Sequence, residues 1–145
     1  MSERILKISG DLNRYFNDLK ELNIKGVESL TKEKFYSLSM IMFAILNRAI
    51  DLGEEVIRDN QMGIASSYKE IFQILKRNKI ISDDLSKRMQ SLVSMRNVLA
   101  HEYFDVTEES IYHVYEQIGS VKKLMEQIKQ FILKNNKKWT SRLWL

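Results

Sequence analysis

The sequence predicts an all-α protein, an antiparallel bundle of four to five helices. Three observations lead there. Proline is absent and glycine occurs only five times in 145 residues, so little interrupts helical runs. Met, Leu, Ile, Lys and Glu are abundant, which is a helix-forming composition. Apolar residues recur three and four apart over long stretches, and the connectors between those stretches are short.

The first helix is predicted over about residues 3–23, where Ile5, Ile8, Leu12, Tyr15, Leu19 and Leu22 share one stripe. Asn23 to Leu30, containing Gly26, forms the turn. Thr31 caps a long second helix reaching about Asp59. Its seam is heptad-like: Phe35, Leu38, Met42, Ile45, Ala49, Leu52 and Val56. Asn60 to Ala65, with Gly63, is a loop. Ser67 and Glu70 form a capping box for a short third helix from Tyr68 to about Asn78, carrying Ile71, Phe72, Ile74 and Leu75. Ser82 caps the fourth helix, with Asp83 and Asp84 at the positive end of its dipole, and this helix runs to about His101. After the connector Tyr103–Val106, Thr107 caps the fifth helix to about Asn135, with Ile111, Val114, Ile118, Val121, Leu124, Ile128 and Phe131 as its stripe. Residues 1–135 thus read as one bundle and residues 136–145 as a basic and aromatic tail with Trp139 and Trp144.

With 44% hydrophobic and 29% charged residues, the chain is long enough for a real core. The absence of cysteine excludes disulfides, thiolate metal sites and cysteine nucleophiles. No secretion leader is read at the N-terminus, and no uninterrupted apolar run approaches the roughly 18 residues of a membrane span. A cytoplasmic location without membrane contact is the expectation. A net charge of +4 and a pI near 9.2 favour an anionic partner, nucleic acid first.

One position breaks the apolar pattern. Leu85, Met89 and Leu92 set a rhythm that continues through Arg96 to Leu99 and Tyr103, so a cation occupies the stripe of its own helix. A buried cation without partners costs several kcal/mol, so Arg96 must open onto a polar cleft or meet a designated anion. Asn97 and His101, four apart, share an adjacent face. On a straight helix Arg96 and His101 point about 140° apart. Either the helix ends near Ala100 and His101 swings back, or a second copy completes the site across a two-fold axis.

A guanidinium beside an imidazole suits phosphodiester chemistry. Arginine holds two phosphate oxygens with its planar fork and stabilises developing negative charge. Histidine exchanges a proton near neutral pH. In RNA the 2′-hydroxyl is a built-in nucleophile, and the sequence offers no paired histidines at helical spacing and no dense carboxylate cluster. No metal or other cofactor is expected. A structural use of the same residues has His101 capping the helix end and Arg96 pairing with Glu102 or Asp105.

The segment Arg96-Asn97-Val98-Leu99-Ala100-His101-Glu102-Tyr103 resembles the Arg-(four residues)-His-x-Tyr motif of HEPN-domain proteins, specifically the HepT-like toxins. Asn47-Arg48-Ala49-Ile50-Asp51-Leu52 resembles the family's Ala-Ile-Asp segment. Gly63 to Phe72 is similar to its Gly-x-Pro-x-Ser-Tyr-x-x-x-Phe segment, with Ala65 where proline is common. The resemblance spans about residues 5–133. It implies a HEPN-like bundle working as a homodimeric, metal-independent endoribonuclease, the toxin of a toxin–antitoxin pair. It further implies a separate minimal nucleotidyltransferase as antitoxin, silencing the toxin by transferring AMP to the motif tyrosine. By position, Arg96 and His101 become the catalytic pair, Asn97 the supporting polar group and Tyr103 the AMP acceptor. Asp51 and Tyr68 are candidates for lining the cleft. For Asp51 an ion pair with Arg48 on the same helix is the structural alternative.

Two other readings compete. One is a catalytically idle helical subunit that partners a nucleotidyltransferase and presents its substrate. The other is a purely structural dimerisation bundle, which leaves Arg96 without a purpose. The tail's lysines and tryptophans suit RNA, but docking of the aromatics on the bundle or on a partner is the favoured expectation.

Overall fold

Side-chain caps define where most of the helices begin. The computed structural model describes the backbone of residues 2–101 and 105–144 and the side chains of residues 2–100 and 105–135. The elements in order are α1 (Glu3–Glu21), a 3-10 turn (Val27–Ser29), α2 (Lys32–Asp59), α3 (Tyr68–Arg77), α4 (Asp83–His101), α5 (Glu108–Gln117) and α6 (Gly119–Trp144). Hydroxyls of Ser2, Thr31, Ser67, Ser82 and Thr107 each accept the backbone N–H three residues on. They satisfy donors that the first helical turn leaves unpaired. Thr107 forms a full box with Ser110. At α3 the expected reciprocal bond is displaced by one residue: Glu70 accepts from the Ser66 N–H and hydroxyl, not from Ser67. Those bonds, the hydroxyl's foremost, hold the Glu70 carboxyl below its ordinary pKa.

Two helix ends use one device. Asn60 donates its side-chain amide to the Val56 carbonyl, Gln61 turns to φ 52°, and the Met62 N–H reaches the Ile57 carbonyl. Asn78, Lys79 at φ 58° and Ile80 repeat this at the end of α3. Each is a left-handed stop that satisfies terminal carbonyls and returns an apolar residue to the bundle.

The helix expected over Thr107–Asn135 is two helices. Ile118 is a turn residue whose N–H reaches back only three positions, to Tyr115, and Gly119 follows as a weak helix former. The break leaves Ile111, Val114, Ile118, Val121, Leu124 and Ile128 all buried, but further on Ile132 is buried where Phe131 was expected. α6 then continues to Trp144, through the stretch set apart in the sequence as a tail.

α2 lies at the centre and packs against every other helix. It is long and apolar enough, by composition alone, to cross a bilayer, although no uninterrupted apolar run foretold this. In the fold that apolarity meets neighbours: Leu38, Met42, Ile45, Leu46, Ala49, Leu52 and Val56 are all buried. On α3 the fully buried Phe72 alone contributes about 1.5–3 kcal/mol by leaving water. Its carbonyl also accepts the buried Ser86 hydroxyl of α4 at 2.9 Å. On the opposite side, buried Asp11 and Glu55 bind α1 to α2 through Arg48 at 2.9 Å and Arg4 at 3.2 Å.

Gly53 sets the spacing between α2 and α3. A methyl group there would sit 2.5 Å from Ile71 Cγ2. Gly53→Ala is expected to cost about 1–3 kcal/mol of overpacking, more than alanine's helix preference of about 1 kcal/mol returns. Gly119→Ala meets nothing within 4 Å and is the matched control. Urea unfolding checks this: the midpoint should fall for Gly53→Ala and hold or rise for Gly119→Ala.

Candidate active site

Three helices converge on Arg96. α4 carries it near its C-terminal end, α2 crosses with Phe43 and Asn47 one turn apart, and α3 begins with Tyr68. Gly63, at φ 101°, turns the chain between α2 and α3 in a region unfavourable to side-chain-bearing residues. The Ser67 cap then fixes Tyr68 as the first residue of α3.

Arg96 is half-buried, in the apolar stripe of its own helix. Its Nε donates to Asn47 Oδ1 at 2.8 Å, and Nη1 lies 3.4 Å from Asn97 Oδ1, a long contact. The guanidinium carbon sits over the Phe43 ring at 5.3 Å and the Tyr68 ring at 5.4 Å. Such cation–π contacts each contribute about 0.5–2 kcal/mol, rising with desolvation. Among the described residues no carboxylate lies within salt-bridge distance of Arg96.

Arg48 provides the contrast. It is also half-buried, yet it meets two carboxylates, Asp11 at 2.9 Å and Asp51 at 3.0 Å. Asp51 therefore stands in the ion network joining α1 and α2, one turn from Asn47, with Arg48 as its partner. Tyr68 does lie against Arg96, and Asn97 is exposed beside it. The α4 helix includes the backbone of His101, whose side chain lies outside the described residues, as does Tyr103 entirely. The second histidine, His113, is exposed on α5.

Sequence reasoning missed Phe43 and Asn47 as members of this cluster. Their signal was faint: an amide of modest helix propensity four residues after an aromatic, flanking a seam of apolar residues. Chemically, the cluster offers an anion a planar cation whose charge no described carboxylate offsets, held by a neutral amide and two ring faces. A phosphate fits that description.

Comparison with known proteins assigns the family and the fold. The family model described as "Ribonuclease HepT-like" matches residues 5–131. The mRNA nuclease HepT of Shewanella oneidensis is 30% identical over 83 residues, 57% of this chain and 58% of the relative; the match thus spans less than two thirds of that protein. Among solved structures, the tri-AMPylated HEPN toxin of Shewanella oneidensis, in complex with MNT antitoxin, superposes with a TM-score of 0.79 at 20% identity. That alignment covers 90% of this chain and 99% of the toxin. The cytosolic protein YutE of Bacillus subtilis superposes with a TM-score of 0.78 at 18% identity, covering 92% of each chain. These structural likenesses establish the shared helical fold, and the family model covers most of the sequence, Arg96 and His101 included. The chain belongs to the HepT-like ribonuclease family.

Proposed function

We propose that this chain is the ribonuclease toxin of a toxin–antitoxin pair, cutting RNA in the cytoplasm without a metal ion. One observation carries the reading: Arg96, half-buried at the end of α4, is held by an amide and two rings with no described carboxylate to neutralise it. In the reaction Arg96 holds the scissile phosphate and stabilises the charge that builds on its oxygens. An imidazole takes the 2′-hydroxyl proton, the 2′-oxygen bonds to phosphorus, and the bond from phosphorus to the 5′-oxygen breaks. The leaving oxygen gains a proton, giving a 2′,3′-cyclic phosphate and a 5′-hydroxyl end. The nucleophile belongs to the substrate, so this route asks for no metal-bound water. Silencing by AMP on Tyr103, transferred by a separate nucleotidyltransferase, completes the reading; the AMP-bearing toxin complex of Shewanella oneidensis supports it by likeness.

One proton is removed as another is supplied, a task that two proton carriers perform at once, and the motif brings one histidine per chain. A homodimer answers this. Tyr36, 57% exposed, and Met40, 75% exposed, stand on α2 above a cavity of about 200 Å³ that Phe35, Phe43, Leu99 and Val106 also line. That apolar face adjoins Arg96 through Phe43. A second copy placed there about a two-fold axis buries both faces and brings the two motifs together. Light scattering is expected to give a dimer at micromolar concentration, and Met40→Asp a monomer with RNA cleavage reduced at least about tenfold, since a charge there must be desolvated. A monomeric parent protein would contradict the shared site. Cleavage of a labelled RNA, with product ends identified by mass, tests the nuclease itself.

A further inference from the structure

To hold a phosphate, the Arg96 guanidinium must be aimed as well as charged. We infer that Asn47 is the positioning residue for Arg96, and that its being a neutral amide, not a carboxylate, keeps the guanidinium charge available to RNA. This rests on the proposed function and deepens it.

The amide's orientation follows from chemistry. Arginine has no acceptor, so the Asn47 atom 2.8 Å from Nε must be the carbonyl oxygen. The Asn47 NH2 group then faces away from the guanidinium, and among the described residues it donates to nothing. Binding at Nε fixes the rotation of the guanidinium plane, and the Phe43 and Tyr68 rings cover its face. Apart from the long 3.4 Å contact of Nη1 with Asn97 Oδ1, the Nη edge is left to meet an anion, the edge that grips phosphate oxygens in pairs.

Arg48, one residue after Asn47, shows the other outcome. Asp11 and Asp51 bind it at 2.9 and 3.0 Å and use its charge within the fold. A carboxylate at position 47 would do the same to Arg96. It would hold the guanidinium at least as firmly, since a charge-assisted bond is stronger than a neutral one, while placing a negative charge where phosphate must come. Firm holding and catalytic use thus make opposite demands on this side chain, and asparagine meets both.

The experiment compares Asn47→Ala, Asn47→Gln and Asn47→Asp with the parent chain and with Arg96→Ala. Asn47→Ala is expected to lower kcat about 10- to 100-fold with KM changed little, because a misaimed group loses transition-state contact first. Asn47→Gln should recover part of that loss. Asn47→Asp should cleave no faster than Asn47→Ala, although it unfolds at the same urea concentration as the parent or a higher one. A merely structural role predicts the reverse order for Asp, with activity following stability. Parental activity in Asn47→Ala or in Asn47→Asp would overturn the inference.

A second readout is independent of cleavage. The Arg96 Nε–H resonance in 15N spectra, assigned by its loss in Arg96→Lys, should exchange slowly in the parent and in Asn47→Asp and rapidly in Asn47→Ala. An unchanged resonance in Asn47→Ala would refute the clamp. If Arg96→Ala cleaves as the parent does, or the parent does not cleave RNA at all, the nuclease reading falls, and the resonance still decides whether Asn47 holds Arg96.

Discussion

Arg96→Ala and His101→Ala are each expected to reduce RNA cleavage by at least about a thousandfold, the combined scale of lost charge stabilisation and lost proton transfer. Growth inhibition in cells should vanish with it. The fold should survive both changes. Arg96 contacts two ring faces and an amide, and Phe43, Asn47 and Tyr68 are themselves only partly buried. Circular dichroism should therefore stay helical, with a loss of about 1–3 kcal/mol for Arg96→Ala from the hydrogen bond and ring contacts it gives up. Cleavage by the parent should persist in a chelator and leave 2′,3′-cyclic phosphate ends, because in the proposed reaction the attacking oxygen comes from the ribose. Full activity in His101→Ala removes the imidazole from the mechanism. Loss of parental activity on chelation removes the metal-independent route.

What the sequence disclosed and what it hid have the same physical origin. Caps at Thr31, Ser67, Ser82 and Thr107 are legible because each is a single residue with a local bond to make. The seams are legible because periodicity is averaged over many turns. The break at Ile118 is hidden for that same reason: a one-residue tightening barely rotates the stripe, so Ile111 through Ile128 keep their spacing across it. Arg96 announced itself as a cation in an apolar stripe, and the structure gives it a polar partner and solvent, as burial cost requires. Asn47 could not announce itself. A polar residue flanking a seam reads as solvent-facing, and only the crossing of α2 over α4 brings it to an arginine 49 positions away. Asp51 illustrates the converse. Its neighbour Arg48 is visible in sequence, but Asp11, the carboxylate that draws Arg48 into the α1–α2 network, is on another helix.

Tyr103→Phe is expected to separate cutting from control, leaving much of the nuclease activity but abolishing silencing by the partner nucleotidyltransferase with ATP and magnesium. Tyr103 lies outside the described residues, two positions after His101 in the sequence. Two residues span at most about 7 Å, so its backbone is tethered close to that of His101, the last described residue of α4. An AMP on its hydroxyl would bring a bulky anion to the neighbourhood of a guanidinium that no described carboxylate neutralises. The transferred phosphate and an RNA phosphate would then compete for one cation, and the covalently tethered one has the advantage of high effective concentration. Covalent attachment adds about 329 Da per AMP, which intact-mass measurement resolves directly. The parent chain should gain that mass and lose cleavage together, while the Phe variant should gain no mass and keep cutting. Silencing of the Phe variant with AMP found elsewhere would move the acceptor to another residue. Silencing with no added mass would mean that the partner acts by covering the cleft, and the covalent account would fail.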